Sequence, residues 1–342
     1  MRRFLIYISQ AYSIPIGRPL QEELRRRGFE VKWFCDEVET REHLGSSEIL
    51  LTSVKAVKVY NPEVVLVATN VVPDFFPGIK VQIFHGFSVG KRSNEKGHFN
   101  IRGFFDLYCT QGPSTTEPFF ALQKKYTYFD VIETGWSKMD PLFPLKQSKQ
   151  NIPTVMISST FTTRLSLAKN TEVVAEIQRL SALGKWKFIA VLHPKMEVEI
   201  VDTFKSMQHE YFTFYDTTDL TPLFEKADVM LSDTTSAITE FALQKKPVVT
   251  IANKQPEAYM INITQTKKIE EALNFALSKP SEIMEHLANF IARTHPYSDG
   301  KSSARVIDAS LRVLEKAQIK PKPLNLIRRY KIRKKLNYWG LW

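Results

Sequence analysis

The chain has 342 residues, of which 43% are hydrophobic and 24% are charged, and its formal net charge is +11. This composition excludes a chain that is disordered throughout, and the length suffices for two domains, each with a substantial core. The charge excess is local. Nine cations and no acidic residue follow Glu315, and removing these nine from the 47 basic residues leaves 38 against 36 acidic ones.

Short apolar strands alternate with helices in the first half of the sequence. The predicted strands are Phe4–Ile8, Glu30–Cys35, Val64–Ala68, Val81–Phe84, Leu107–Thr110 and Val131–Glu133, and the predicted helices are Pro19–Arg27 and Ser46–Val59. This alternation is typical of a parallel sheet covered on both faces. Cys35 and Cys109 lie in two of these strands and are predicted to be core thiols of a protein in a reducing compartment.

The same alternation restarts after a polar, proline-containing stretch from Pro141 to Pro153, which is the predicted linker. Predicted strands here are Thr154–Ile157, Lys187–Leu192, Phe212–Tyr215, Val229–Leu231 and Val248–Ile251, and predicted helices are Leu167–Leu183, Glu197–Met207 and Ala304–Gln318. We therefore expect two doubly wound, Rossmann-like α/β domains that face a cleft. Their predicted bounds are residues 1–147 and 148–318, followed by a tail of residues 319–342.

Two histidines come directly after predicted buried strands. His85 follows Val81–Phe84, and His193 follows Phe188–Leu192. Ligands of open α/β sheets bind at the carboxyl ends of the strands, so the two imidazoles, one from each domain, are expected to face the cleft. A neutral imidazole at such a position can act as a general base or acid, and both are candidate catalytic residues.

A hydroxyl-rich turn follows the strand Val229–Leu231. It consists of Ser232, Asp233, Thr234, Thr235 and Ser236, and an amphipathic helix follows. Hydroxyls and free amides at the start of a helix bind phosphate well, which predicts a diphosphate site. Helix capping would explain one such residue but not four hydroxyls around an aspartate. The sequence has no zinc-type spacing and no phosphate-binding glycine motif, so no metal ligand is predicted, while a divalent ion at the diphosphate stays open.

In their order along the chain, these motifs resemble those of the CDP-glycerol glycerophosphotransferase family, the teichoic-acid primases and polymerases with a GT-B fold. The matching segments are Phe84-His85-Gly86, Glu133-Thr134-Gly135-Trp136-Ser137-Lys138-Met139-Asp140, Leu192-His193-Pro194, Ser232–Ser236 with Glu240-Phe241, and Asp299-Gly300-Lys301-Ser302. The resemblance implies transfer of glycerol phosphate, or a related alditol phosphate, from a CDP-activated donor to a hydroxyl of a membrane-associated glycan or lipid acceptor, with release of CMP.

The resemblance also implies roles for individual residues. It places His85 as the catalytic base in an N-terminal acceptor-side domain. It places His193 and the turn Ser232–Ser236 at the donor diphosphate in a C-terminal nucleotide-binding domain. Secondary residues of the donor site and cleft would be Gly86, Gly135, Lys138, Asp140 and Glu240.

The tail mixes cations with aromatic residues that prefer the lipid headgroup zone. The predicted membrane-docking residues are Arg328, Arg329, Lys331, Arg333, Lys334, Lys335, Trp339 and Trp342. Each cation near an anionic leaflet contributes about 1 kcal/mol. The first apolar run ends at Ser9, too early for a secretory signal, and no run reaches the roughly 18 apolar residues that span a bilayer. We therefore expect a cytoplasmic protein that docks on the inner face of the cell membrane, with nucleic acid a disfavoured partner.

Two other functions fit the same features. A GT-B glycosyltransferase that uses a nucleotide sugar would need the same cleft, base and diphosphate site. A non-catalytic protein that binds membranes or polyanions through its basic tail would need neither histidine. Release of CMP or UDP, and nucleotide binding itself, separate the three hypotheses.

Overall fold

The structure is a computed structural model that describes residues 1–87, 97–146, 151–316 and 320–340. The chain divides into two compact α/β units. The first contains Met1–Phe143 and Arg293–Trp342, and the second contains Pro144–Ala292.

The first unit is built on a six-stranded parallel sheet. Its strands are β1 (Arg3–Ile8), β2 (Glu30–Cys35), β3 (Val64–Val67), β4 (Ile79–Gln82), β5 (Leu107–Thr110) and β6 (Asp130–Glu133), in the spatial order β2-β1-β3-β4-β5-β6. The helices between them are α1 (Ile14–Arg26), α2 (Val38–Arg41), α3 (Val54–Tyr60) and α4 (Pro113–Tyr126), with 3-10 helices at Ala11–Ser13 and Ser137–Leu142. Strands β3, β4 and β5 are buried along their whole length, as expected of a parallel sheet covered on both faces.

The second unit repeats this architecture. Its strands are β7 (Thr154–Ser159), β8 (Lys187–Leu192), β9 (Phe212–Phe214), β10 (Val229–Ser232), β11 (Val248–Ile251) and β12 (Met260–Ile263), in the order β12-β11-β10-β7-β8-β9, all parallel. Its helices are α5 (Thr171–Ala182), α6 (Val198–Ser206), α7 (Thr221–Lys226), α8 (Ala237–Ala242), α9 (Ile269–Leu277) and α10 (Ser281–Thr294), with 3-10 helices at Leu167–Lys169 and Thr266–Lys268. The order of strands reverses between β7 and β10.

The chain returns to the first unit at the end of α10, from Arg293 onward. Two further helices, α11 (Ser302–Leu314) and α12 (Leu326–Lys335), complete it. Helix α11 buries Val306 and Ile307 and contacts α1 and the 3-10 helix Ser137–Leu142. Its first turn is held by the Asp140 carboxylate, which accepts hydrogen bonds from the backbone N–H groups of Ser302 (2.8 Å) and Ser303 (2.7 Å).

This division differs from the one expected from the sequence, in which residues 148–318 formed the second domain and residues 319–342 a separate tail. Helix α11 packs against α1, which lies far earlier in the chain. Arg27, directly after α1, also forms an ion pair with Asp308 of α11, 281 positions away. Composition around the linker carries no information about such a return. The expected boundary at residues 147 and 148 lies outside the described residues.

Local signals explain where several helices begin. The helix expected over Ser46–Val59 begins only at Val54, because Ser53 caps it by accepting a hydrogen bond from the Ala56 N–H at 3.1 Å. The helix expected over Leu167–Leu183 is divided by Asn170, whose side chain caps α5. No helix in the part of the chain that the structure describes is long and apolar enough to cross a membrane.

Candidate active site

His85 lies at the carboxyl edge of the first sheet. It comes three residues after the end of β4, and its side chain is exposed. Tyr12, which follows β1, is 54% exposed, and its ring centroid lies 6.1 Å from that of His85. Since the strands are parallel, the loops after β1 and β4 emerge at the same edge. The imidazole is therefore accessible to a ligand at this edge.

The structure brings a second histidine, His98, to the neighbourhood of His85. The His98 ring stacks on Phe84 with centroids 4.6 Å apart. Burial, together with the nearby His85, lowers the pKa of His98 to about 4, so this ring is neutral at physiological pH. This position of His98 could not be predicted from the sequence, because the residue lies in a polar loop that follows no strand.

A third histidine, His295, supports the end of β6 from the C-terminal segment. Its Nε2 accepts a hydrogen bond from the Trp136 backbone N–H at 3.0 Å, and only 1% of the residue is exposed. Gly135 permits this contact. It has a φ of +78°, and a Cβ there would lie 2.5 Å from Ser302 Oγ and 3.0 Å from His295 Nε2. Gly135 and Asp140 thus hold residues 295–303 in place.

His193 lies at the carboxyl edge of the second sheet, directly after β8, and is exposed. Its Nδ1 accepts a hydrogen bond from the Lys195 backbone N–H at 3.0 Å, and its ring lies 4.5 Å from that of Phe161. Partial burial, and secondarily the Lys195 charge, lower the pKa of His193. The neutral ring with an accepting Nδ1 carries its proton on Nε2, and this N–H can donate to a ligand oxygen.

Two residues of the turn Ser232–Ser236 have buried side chains that make hydrogen bonds within the second unit. The buried Asp233 carboxylate accepts hydrogen bonds from Ser159 Oγ and from the backbone N–H groups of Thr160 (3.0 Å) and Leu167 (2.9 Å). The Ser232 hydroxyl donates to the Ser158 carbonyl at 2.6 Å and is also buried. Asp233 therefore ties the loop after β7 to the loop after β10.

The other three residues of this turn are less buried, although the Thr234 hydroxyl oxygen is itself buried and has no hydrogen-bond partner among the described residues. Thr234 and Thr235 are half-buried and Ser236 is exposed, directly before α8. They lie at the carboxyl edge where β7 and β10 meet, which is the point of the sheet where ligands of open α/β folds bind. Glu240 is buried in α8, and Lys138 of the first unit lies beside the Trp136 ring, 5.4 Å from its centroid. Among the described residues, no group of three His, Cys, Asp or Glu side chains is placed to hold a metal ion.

The tail packs on the first unit through one face of α12. Asp74 pairs with Arg333 (3.0 Å) and Arg329 (3.7 Å), and Asp36 pairs with Lys335 (2.8 Å). Upstream of the helix, Lys322 pairs with the buried Asp106 at 2.6 Å. Three of the predicted membrane-docking cations, Arg329, Arg333 and Lys335, are therefore engaged within the unit.

The opposite face of α12 is exposed. Lys331 and Lys334 make no ion pair with any residue that the structure describes, and Arg328 is also exposed. The large apolar and aromatic side chains around them are Leu324 (68% exposed), Leu326 (68%), Ile327 (74%), Tyr330 (56%) and Trp339 (55%). We refer to residues 324, 326–328, 330, 331, 334 and 339 as the outer face of the tail. Trp342 lies outside the described residues.

Comparisons with known proteins agree with this architecture. The model of the UDP-N-acetylglucosamine 2-epimerase family matches residues 154–311, which is less than half of the chain. No curated protein matches the sequence.

Similar solved structures cover nearly the whole chain. A variant of the wall teichoic acid polymerase TagF soaked with CDPG has 12% identity and a TM-score of 0.68, and the match covers 92% of this chain and 89% of that chain. UDP-GlcNAc 2-epimerase from Neisseria meningitidis bound to UDP-GlcNAc has 13% identity and a TM-score of 0.64, over 91% and 100% of the two chains. S. aureus MnaA with UDP has 13% identity and a TM-score of 0.63, over 94% and 99%. The expected GT-B-like α/β fold is confirmed.

Protonation of His295 should lower stability at acidic pH. Burial lowers the pKa of His295 to about 4, whereas a histidine in the unfolded chain titrates near about 6.5. The unfolded state therefore binds the extra proton first, and the stability present above pH 6.5 is lost as the pH falls towards 4, by about 3 kcal/mol. In urea unfolding measured between pH 4 and 8, His295→Phe should show a shallower loss than the wild type. The exposed His286→Phe is the control, and an equal slope in His295→Phe and wild type would contradict this assignment.

Proposed function

We propose that the protein transfers glycerol phosphate, or a related alditol phosphate, from a CDP-activated donor to a hydroxyl of a lipid- or glycan-linked acceptor and releases CMP. The observation that carries the proposal is that the exposed His193 and the hydroxyl residues Thr235 and Ser236 lie at the carboxyl edge of the second sheet, after β8 and β10, the two neighbours of β7. The TagF variant of similar fold was soaked with CDPG. The motifs His85-Gly86, His193-Pro194 and Ser232–Ser236 agree with such a transferase.

The second unit would hold the donor diphosphate. The Nε2–H of His193 and the hydroxyls of Thr235 and Ser236 are donors that suit phosphate oxygens, whereas the Thr234 hydroxyl is buried and would serve only if the turn rearranges on binding. These donors would also meet the negative charge that develops on the leaving CMP phosphate. Ser232 and Asp233 serve the same site from inside, because they fix the loops that carry the hydroxyls. Glu240 is buried in α8, the helix that follows the turn.

His85 would act as the general base. As the acceptor hydroxyl oxygen attacks the phosphorus that carries the alditol, the hydroxyl proton passes to the imidazole, and the bond between that phosphorus and the CMP oxygen breaks. General base catalysis of this kind contributes about 10²–10⁴-fold to the rate. Gly86 keeps the approach open, since no atom of the described residues, its two chain neighbours aside, lies within 4 Å of the place where its Cβ would stand. Lys138 adds a cation, and Gly135 and Asp140 act indirectly by holding residues 295–303.

Chemistry on a UDP-sugar is the second candidate function. The match of residues 154–311 to the UDP-N-acetylglucosamine 2-epimerase family favours it. The same hydroxyls and His193 would then bind a UDP diphosphate. The two candidates differ in their product: CMP appears from CDP-glycerol in the first, and UDP or an isomerised sugar nucleotide appears from UDP-GlcNAc in the second.

Replacing either histidine separates chemistry from binding. His85→Ala should lower CMP release from CDP-glycerol by about 10²–10⁴-fold and leave CDP affinity unchanged in calorimetry. His193→Ala should weaken CDP binding, because it removes a donor to the diphosphate. The controls are His43→Ala and His286→Ala, exposed histidines of the first and second unit. Wild-type turnover by His85→Ala would remove His85 from the mechanism, and UDP release without CMP release would favour the second candidate.

We also propose that the outer face of the tail docks on an anionic membrane. It combines three exposed cations with five exposed apolar or aromatic side chains, a composition that suits the lipid headgroup zone. Lys335 pairs with Asp36 directly after β2, so α12 ends at the same sheet edge that carries His85. A lipid-linked acceptor in the bilayer would thus lie on the side of this unit where the base is exposed.

Two lysine substitutions test the docking surface. Lys331→Gln combined with Lys334→Gln should weaken binding to vesicles that contain phosphatidylglycerol by about 30-fold, since each cation contributes about 1 kcal/mol. Lys187→Gln combined with Lys254→Gln removes the same charge from exposed sites of the second unit and is the control. Co-sedimentation across a lipid titration gives both affinities. Equal weakening by the two double variants would contradict docking through the tail.

A further inference from the structure

The residue before His85 has a strained backbone. Phe84 adopts a φ of +55°, in the left-handed region where the Cβ of a bulky residue crowds the following carbonyl. Conformations of this kind cost about 1–3 kcal/mol and persist only where the surrounding structure fixes them. Phe84 is 2% exposed, so the strain lies in the core directly beneath the exposed imidazole.

Aromatic packing fixes the side chains on both sides of His85. The Phe84 ring stacks on His98 at 4.6 Å and meets Phe119 edge-on at 5.3 Å. On the other side, the Phe87 ring lies 4.8 Å from that of Trp136. An exposed imidazole is therefore carried by a turn whose two flanking side chains are buried.

Two side-chain N–H groups hold the backbone of the same turn. Trp136 Nε1 donates to the Phe84 carbonyl at 3.4 Å, and Gln111 Nε2 donates to the Gly86 carbonyl at 3.1 Å. Gln111 comes directly after β5, and Trp136 comes three residues after β6. These two strands follow β4 in the sheet, so neighbouring strands deliver the two donors to the turn at the end of β4.

A contribution to stability does not explain why an amide side chain stands at position 111. Its side chain is fully buried, and its Oε1 has no hydrogen-bond partner among the described residues. An unpaired buried acceptor costs about 1–3 kcal/mol. A methionine of similar length would fill the same space without that cost. The retained amide indicates that its N–H contact with Gly86 serves a purpose other than folding.

We propose that Gln111 and Trp136 are positioning residues for His85. Their N–H groups hold the carbonyls of the residues before and after the histidine and keep the Phe84 backbone in its strained conformation. This fixes the imidazole at one place on the sheet edge. The inference rests on the proposed function, which makes His85 the base, and a displacement of about 1 Å in a catalytic group can cost about 10²-fold in rate.

Gln111→Met and Trp136→Phe remove one N–H group each and keep most of the side-chain volume. Both should lower kcat for CMP release 10-fold or more, while KM for the donor and CDP affinity stay unchanged. Gln111→Met should melt at the wild-type temperature or above it, because it also removes the unpaired Oε1. Lower kcat without lower stability is a result that a merely structural role would not produce. Wild-type kcat in both variants would overturn the proposal.

A matched pair in the same unit provides the control. Trp33 Nε1 donates to Gln21 Oε1 at 2.7 Å in the core between β2 and α1. Gln21→Met and Trp33→Phe repeat the two substitutions there. They should lower the melting temperature and leave kcat unchanged. If they lower kcat as much as the test variants do, the effect is one of general stability and the proposal fails.

Two further measurements separate this inference from the proposed function. In a His85→Ala background, Gln111→Met should cause no additional loss of activity, because it acts through the histidine. An equal additional loss would overturn the positioning role. The NMR signal of the His85 ring, identified by its absence in His85→Ala, should shift or broaden in Gln111→Met and Trp136→Phe but not in the control variants. If His85→Ala keeps full activity, the base assignment fails, and the ring signal still decides whether the two residues position His85.

Discussion

Parallel strand pairing is the constraint on which the account depends. In both sheets every strand pair in the described chain is parallel, so the carboxyl ends of the strands collect at one edge of each sheet. In the first unit this edge presents Tyr12 and His85, with Gln111 and Trp136 beneath. In the second it presents His193 and the turn that ends at Ser236. Side chains that are distant in sequence lie close together at each of these edges, because each of them follows the carboxyl end of a strand.

The start of the basic tail lies at the opposite, amino edge of the first sheet. Lys322 pairs with the buried Asp106 directly before β5. The tail also passes close to the backbone of Gly103, since a Cβ on this glycine would lie 2.8 Å from Pro323 Cγ. From there the tail continues into α12 and reaches Asp36 after β2. One face of a basic segment thus binds the unit, and the other is left to solvent. Charge alone could not have distinguished the two faces.

Much of the fold could be predicted from the sequence. Strands such as Glu30–Cys35, Leu107–Thr110, Lys187–Leu192 and Val248–Ile251 have the expected bounds, because short apolar runs between polar helices are local signals. The positions of His85 and His193 at strand ends follow from the same reasoning. The return of α11 to the first unit could not be predicted, because its partner α1 lies far away in sequence. The same holds for His295, which meets Trp136 across 159 positions, and for Gln111, whose role depends on the turn after another strand. A hydroxyl-rich motif also does not reveal that Ser232 and Asp233 point inward.

The account's central claim is that the carboxyl edge of the second sheet binds a nucleotide diphosphate. The most direct measurement is amide chemical-shift mapping by NMR on the full chain during titration with CDP. We expect saturable shifts at Phe161, His193, Thr234, Thr235 and Ser236, and none at the amino edge of the first sheet near Arg102 and Tyr126. Shifts confined to other regions, or no response at any CDP concentration, would contradict the claim.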